Sequence, residues 1–246
     1  MEISLSGRAV VTGAATGIGR ATAERLRASG AEVVAVDRNA EGLGTLSGMD
    51  TVCVDLTDDE QRADLIASCR GARYLVNAAG LMRMKNIFDF TAQDIRDIYA
   101  VNVEAVWDLT SGLGRHMPAG GAIVNLSSVS ARLPTTLETA VYASSKAAVV
   151  SLTRSFAYAL APQDVRVNAI LPGIIDTEMQ DHVLAELARL RGTTVEEISR
   201  LRLSMVPLHR EAQPSECADL ICFLLSDRAS YLTGQAIVQD GGIVTG

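Results

Sequence analysis

Short runs of β-branched and aliphatic residues punctuate this chain, separated by longer stretches whose apolar positions recur every three or four residues. The runs are Arg8–Thr12, Glu32–Asp37, Thr51–Asp55, Tyr74–Asn77, Ala122–Leu126, Val165–Leu171 and Gln235–Val238. Each has the length and composition of a strand. Between them the spacing predicts a helix ending near Ser29, one from about Asp58 to Cys69, one long pattern from Thr91 to Met117, and one from Tyr142 through Ala161. Strands alternating with helices predict a parallel sheet covered on both faces. With 246 residues, 48% of them hydrophobic, the chain fits one large α/β domain.

In such sheets ligands sit beyond the carboxyl ends of the strands, and the polar residues Asp37, Asp55, Asn77 and Ser128 fall there. Gly13-Ala14-Ala15-Thr16-Gly17-Ile18-Gly19 follows the first strand and leads into the first helix. Glycines let the backbone approach a pyrophosphate, and a helix N-terminus offers free N–H groups with partial positive charge. The spacing is GxxxGxG rather than GxGxxG, so a tight turn that binds nothing also fits. Asp37 closes the second strand about 20 residues beyond the loop, where a carboxylate accepts hydrogen bonds from ribose hydroxyls and repels a 2′-phosphate. This favours NAD over NADP. Arg38 beside it could meet a 2′-phosphate, and an acid that merely ends a strand is the alternative.

Val141-Tyr142-Ala143-Ser144-Ser145-Lys146 opens an apolar helix, and residues four apart share a helix face. A phenol titrates near pH ~10; bringing it near 7 needs roughly 4 kcal/mol of preference for phenolate, which a nearby cation could largely supply. A core tyrosine beside a solvent lysine is the other reading. Lysine is rare here, however: twenty arginines stand against Lys85 and Lys146 alone. The net charge of −7 and the lack of any basic block argue against nucleic acid as a partner. No apolar run approaches the ~20 residues of a membrane span. Met1-Glu2-Ile3-Ser4 runs straight into strand-like sequence, so no signal peptide is expected. Cys53, Cys69, Cys217 and Cys222 show no CxxC pair and read as buried free thiols of a cytoplasmic protein. His116, His182 and His209 are scattered, and no metal site is expected.

Six segments carry a resemblance: Thr12 to Gly19, Asp55-Leu56, Asn77-Ala78-Ala79-Gly80, Asn102, Ser128 with Tyr142 to Lys146, and Pro172-Gly173-Ile174-Ile175-Asp176-Thr177. In their order and spacing the chain resembles the short-chain dehydrogenase/reductases over essentially its whole length. The resemblance implies a single Rossmann-type, doubly wound parallel sheet of seven strands in the order 3-2-1-4-5-6-7. It implies Tyr142 as the acid/base that exchanges a proton with the substrate oxygen, and Lys146 lowering the phenol pKa and holding ribose hydroxyls. Ser128, the second of two adjacent serines, would hydrogen-bond the substrate oxygen, with Ser127 as its rival. Asn102, at a local irregularity in the long helix, would position a water for proton relay. The implied cofactor contacts are Gly13, Thr16, Gly17, Ile18, Gly19, Asp37, Arg38, Asp55, Leu56, Asn77, Ala78, Gly80, Tyr142, Lys146, Pro172, Gly173, Ile175 and Thr177. Among these, Asp55 and Leu56 would lie near the adenine, Asn77 would support the central strand, and Ile175 and Thr177 would hold the carboxamide. Two departures stand out: the Ser128–Tyr142 interval is about one residue longer than is common, and Gln239-Asp240-Gly241-Gly242 replaces Val-Asp-Gly-Gly.

Residues from about 174 to 214 read as a movable two-helix lid, with Met179, Val183, Leu187 and Leu190 as an apolar stripe and Thr193 with Glu196 as a capping box. Leu75 to Met84 and Asp176 to Gln180 are similar to 2,3-dihydro-2,3-dihydroxybenzoate dehydrogenases, and Gly192 to Leu208 to dihydroanticapsin-type dehydrogenases. A cyclic hydroxy acid or dihydrodiol is therefore the substrate guess, with Arg83 or Arg191 as a carboxylate clamp or as plain surface residues. The same chemistry on a neutral alcohol, sugar or steroid-like ketone, and a non-catalytic NAD-binding sensor or scaffold, are the alternatives. A sugar-nucleotide epimerase would usually show GxxGxxG, and enoyl reductases usually space Tyr and Lys further apart. Apolar helix surfaces over Ile95–Leu109 and Ala147–Ala161 predict subunit pairing, and the family implies a homotetramer.

Overall fold

The computed structural model describes residues 3–133 and 136–244. Seven strands form one sheet in the order β3-β2-β1-β4-β5-β6-β7, each neighbouring pair parallel. β1 (Arg8–Thr12), β2 (Glu32–Asp37), β4 (Tyr74–Asn77) and β5 (Ala122–Leu126) coincide with the apolar runs. β6 (Arg166–Pro172) and β7 (Ala236–Gln239) are shifted by one residue. β3 (Asp50–Cys53) stops short of Asp55, whose carboxylate instead accepts bonds from the Thr57 N–H and hydroxyl at 2.9 and 2.8 Å. That turn takes the chain out of the ladder.

Burial on both faces explains why the strands read as unbroken apolar runs. Alternate residues feed two cores: Ala9, Val11, Val33 and Ala35 lie on one face, and Val10, Val34 and Val36 on the other. The first face is covered by α1 (Gly17–Ala28), α9 (Pro214–Leu225) and the short α2 (Ala40–Gly44), which contributes Leu43. The second is covered by α3 (Asp59–Ser68), α5 (Ala105–Gly114) and α6 (Ala140–Leu160).

The long pattern from Thr91 is not one helix. A Thr91–Asp94 capping box starts α4 (Ala92–Tyr99), a π-helical turn follows over Ala100–Glu104, and α5 resumes the α-helix. The π turn holds Asn102 at the inner face, fully buried. α7 (Glu178–Arg191) and α8 (Val195–Ser204) pack on each other around a third core of Val183, Leu184, Leu187, Ala188 and Ile198 with Met84. Of the expected stripe, Val183 and Leu187 are buried, while Met179 and Leu190 are 41% and 37% exposed. The cap of α8 is Thr194, which accepts the Glu197 N–H, rather than the Thr193–Glu196 pair; the Thr193 hydroxyl bonds the Glu197 carboxylate. Gly192, left-handed at φ 64°, ends α7 and leaves one further residue before α8 can be capped.

Among the described residues no helix is long and apolar enough to cross a membrane. Cys69, Cys217 and Cys222 are buried free thiols, and burial pushes Cys217 and Cys222 up to about 12. Cys53 departs from expectation: at the end of edge strand β3 it is exposed.

Candidate active site

A cleft of about 600 Å³ opens across the carboxyl ends of the strands and is roofed by the α7–α8 pair. Its floor begins at the glycine loop. A Cβ on Gly13 would stand 2.8 Å from the Ala79 backbone, and one on Gly19 would stand 2.0 Å from the Gly13 carbonyl oxygen, so neither position admits a side chain without moving backbone. The N-cap residue Thr16 makes no side-chain cap, and no acid occupies the first turn of α1. The leading N–H groups of that helix are therefore left for an anion at the cleft wall formed by Thr16, Gly17 and Ile18. Asp37 is held at the end of β2 by the Ala15 and Asn39 N–H groups, at 3.0 and 2.9 Å. A dinucleotide suits this arrangement: a side-chain-free approach, unspent donors for the pyrophosphate, and a fixed carboxylate for ribose.

The other half of the site lies on β5 and α6. Tyr142 and Lys146 stand one turn apart on α6, 8% and 3% exposed. Ser128 follows β5; its hydroxyl accepts the Ser130 N–H at 3.2 Å and lies close enough to the Tyr142 phenol to lower its pKa. The Ser127 hydroxyl is spent differently, donating to the Lys146 backbone carbonyl at 2.7 Å. Lys146 Nζ donates to the Leu126 carbonyl at 2.8 Å and lies 5.7 Å from the Tyr142 ring centroid. Burial pushes the phenol up to about 12, against the smaller lowering by Ser128, and lowers the ammonium to about 8. Lys146 contributes no lowering of the phenol in this geometry. Desolvation disfavours both charges, and the ammonium is turned to a carbonyl rather than to the phenol oxygen.

Asn102 and Asn77 stand behind the cleft rather than on its wall. Asn102 Oδ1 accepts the Leu81 N–H at 2.8 Å, and its Nδ2 donates to the Leu81 carbonyl and the Ser145 hydroxyl at 3.0 and 2.9 Å. Both Nδ2 donations and the Oδ1 acceptance fix the strand-end loop against α6. Asn77, expected among the cofactor contacts, donates to Thr110 and Asn125, and Asn125 donates in turn to Thr153. This buried ladder ties β4 to α5, β5 and α6, and Asn77 does not reach the cleft. The remaining expected contacts, from Gly13 to Thr177, all line it, as does Ser128. The longer Ser128–Tyr142 interval contains residues 134 and 135, which lie outside the described residues.

Neither arginine singled out as a clamp is free. Arg83 pairs with Asp94 and Asp97 at 2.9 and 2.7 Å, and Arg191 pairs with Glu138 at 3.1 Å. Besides Arg38, the arginine that lines the cleft is Arg202 of α8, with Gln180 of α7 beside it. Nothing in the sequence set Arg202 apart from nineteen other arginines. Gln180 sits three residues past Thr177, near enough to the strand-end motif to have been noticed.

Residues 13–244 match the family model described as "Enoyl-(Acyl carrier protein) reductase". L-xylulose reductase of Bos taurus is 35% identical, covering 99% of both chains, and L-2,3-butanediol dehydrogenase of Corynebacterium glutamicum is 33% identical over 96% of this chain and 98% of that one. L-sorbose reductase of Gluconobacter frateurii, solved with NADPH and L-sorbose, superposes with a TM-score of 0.91 at 30% identity over 100% of each chain. A seven-stranded sheet of this order, a glycine loop that excludes side chains, a Ser–Tyr–Lys wall in the same cleft, and full-length relatives of one kind lead to a single assignment: the chain belongs to the short-chain dehydrogenase/reductase family of oxidoreductases.

Proposed function

We propose that the protein interconverts a secondary alcohol and a ketone, with NAD as cofactor and Tyr142 as acid/base. The observation that carries this reading is the sharing of one cleft by the Gly13–Gly19 loop and the neighbouring Ser128 and Tyr142 side chains, with Lys146 one turn on. Gly13, Thr16, Gly17, Ile18 and Gly19 would hold the pyrophosphate, Asp37 the adenosine ribose, Asp55 and Leu56 the adenine, and Ile175 and Thr177 the nicotinamide. The cofactor supplies a hydride acceptor or donor. Tyr142 moves the proton: a phenol kept neutral by burial gives it readily to a forming alkoxide, and Ser128 donates a hydrogen bond to the same oxygen. In the oxidising direction the phenolate must form, which requires Lys146 to be charged and swung from the Leu126 carbonyl toward the phenol oxygen.

Asp37 supports NAD; Arg38, which also lines the cleft, and the NADPH named for L-sorbose reductase supply the reason to titrate both cofactors. The family model carries an enoyl reductase description, but the four-residue Tyr142–Lys146 spacing supports alcohol/ketone chemistry. Residues from about 174 to 214 read as the lid, because the chain is tied to itself at the base of that segment: the Asp176 N–H bonds the Ala212 carbonyl and the Ala212 N–H bonds the Ile174 carbonyl, at 2.9 and 3.0 Å. The excursion beyond that base packs a small core, apart from the two sheet cores, over Met84 and Met82, and its motion would open and close that contact. Ile95, Trp107 and Tyr158, exposed by 43, 50 and 87% on α4, α5 and α6, support homotetramer assembly through these helices.

Following absorbance at 340 nm with NAD and a panel of cyclic alcohols, hydroxy acids, dihydrodiols and sugars tests the reading. Turnover that is lost in Tyr142→Phe is the expected result. Cofactor binding without turnover on any compound would favour a sensor or scaffold instead.

A further inference from the structure

We infer that Arg202 and Gln180 form an anion seat in the lid that takes a carboxylate of the substrate. This rests on the alcohol/ketone reading of the same cleft and names the substrate class: a hydroxy or keto acid.

The inference starts from donors without acceptors. Gln180 is 8% exposed, and its Oε1 accepts a long bond, 3.4 Å, from Arg202 Nη2. A guanidinium has no acceptor, so the amide oxygen must face it and the amide NH2 must point elsewhere. That NH2 has no partner, and neither does Arg202 Nε–H, although both are buried. Among the described residues no carboxylate comes within ion-pair distance of Arg202, and Glu211 acts on it only from farther off. Arg83 and Arg191 have each found an acid. Here a cation and an amide are left with donors only, on the wall of the cleft that holds Tyr142.

Arg202 is partly buried, and a partly desolvated cation without a counter-charge is disfavoured. The missing complement is an acceptor with negative charge and more than one lone pair, which a carboxylate supplies. Around it, Met179, Val183 and Met205 offer apolar surface for a carbon skeleton. Both polar groups ride on the lid helices α7 and α8, so an anion that satisfies them also holds the lid over the reacting carbon. The carboxylate clamp anticipated at Arg83 or Arg191 therefore moves to Arg202.

Benzoate and benzamide, which share a shape and differ in charge, test this by calorimetry on the full chain saturated with NAD. Benzoate is expected to bind about 10- to 100-fold more tightly than benzamide, as charge-assisted bonds require. Arg202→Gln should abolish that preference. Gln180→Glu, which places an internal carboxylate against Arg202, should abolish it too while raising thermal stability. Arg202→Lys should restore it in part, because the charge returns without the planar fork. Equal binding of the two probes, no binding of either, or a preference that survives both variants would overturn the proposal. Displacement of NAD by benzoate would also overturn it, by assigning the seat to the cofactor's diphosphate. Tyr142→Phe should leave the preference intact, so failure of the anion seat and failure of the catalytic reading are separately visible.

Discussion

Replacing Lys146 with methionine should make the cofactor-free protein more stable at neutral pH while removing its activity. Lys146 is 3% exposed, and burial lowers its ammonium from 10.5 to about 8. At ~1.4 kcal/mol per pH unit, the charged side chain is disfavoured in the fold by about 3 kcal/mol near pH 7. Methionine has similar length and leaves little void, but it deprives the Leu126 carbonyl of the Nζ donor at 2.8 Å, a loss of roughly 1–2 kcal/mol. The balance is a gain of about 1–2 kcal/mol near pH 7. The folded lysine holds its proton less tightly than the unfolded one. Between about 8 and 10.5 the unfolded state therefore binds more protons, and wild-type stability rises with pH across that window. The variant lacks this rise, so its advantage shrinks and reverses between about pH 9 and pH 10. Tyr142 titrates above the same window and affects both proteins alike. Urea unfolding near pH ~7 and pH ~10, without cofactor, measures both ends. A variant destabilised near pH 7, or a difference flat across the window, would refute the reasoning; the lysine would then be a structural donor rather than a group held under strain for chemistry.

Tyr142→Phe should reduce turnover at 340 nm below a few per cent and leave NAD affinity nearly unchanged by calorimetry; substantial residual turnover would remove the phenol from the proton-transfer role. Asp37→Ser should shift the NAD-to-NADP affinity ratio toward NADP by about tenfold or more, since it removes the charge that repels a 2′-phosphate beside Arg38. An unchanged ratio would mean that Asp37 serves only the Ala15 and Asn39 amides it already bonds. Asn102→Ala should destabilise the protein by roughly 2–5 kcal/mol in urea, because the Leu81 N–H and carbonyl and the Ser145 hydroxyl lose their partners inside the fold. A loss under about 1 kcal/mol would mean that water replaces the amide there.

The strands, the two-sided core and most of the cleft floor were decided by local sequence, while the strand order was legible only through the family resemblance. Val10, Val11 and Val34 are apolar because both faces of β1 and β2 are covered, and Gly13 and Gly19 are glycines because backbone occupies the place of their Cβ atoms. Such features leave a periodic or fixed-spacing trace in the chain. Three others leave none. The phenol's actual state depends on how far Tyr142 and Lys146 are buried and where Nζ points, and desolvation is a property of the whole surround. Asn77 and Asn102 stand out in the sequence, but what their amides hold is set by the fold: Asn77 ties β4 to α5 and β5, and Asn102 ties the Leu81 loop to α6. Arg202 differs from Arg83 and Arg191 only in having no acid beside it, and pairing across distant helices is settled only when the chain is folded.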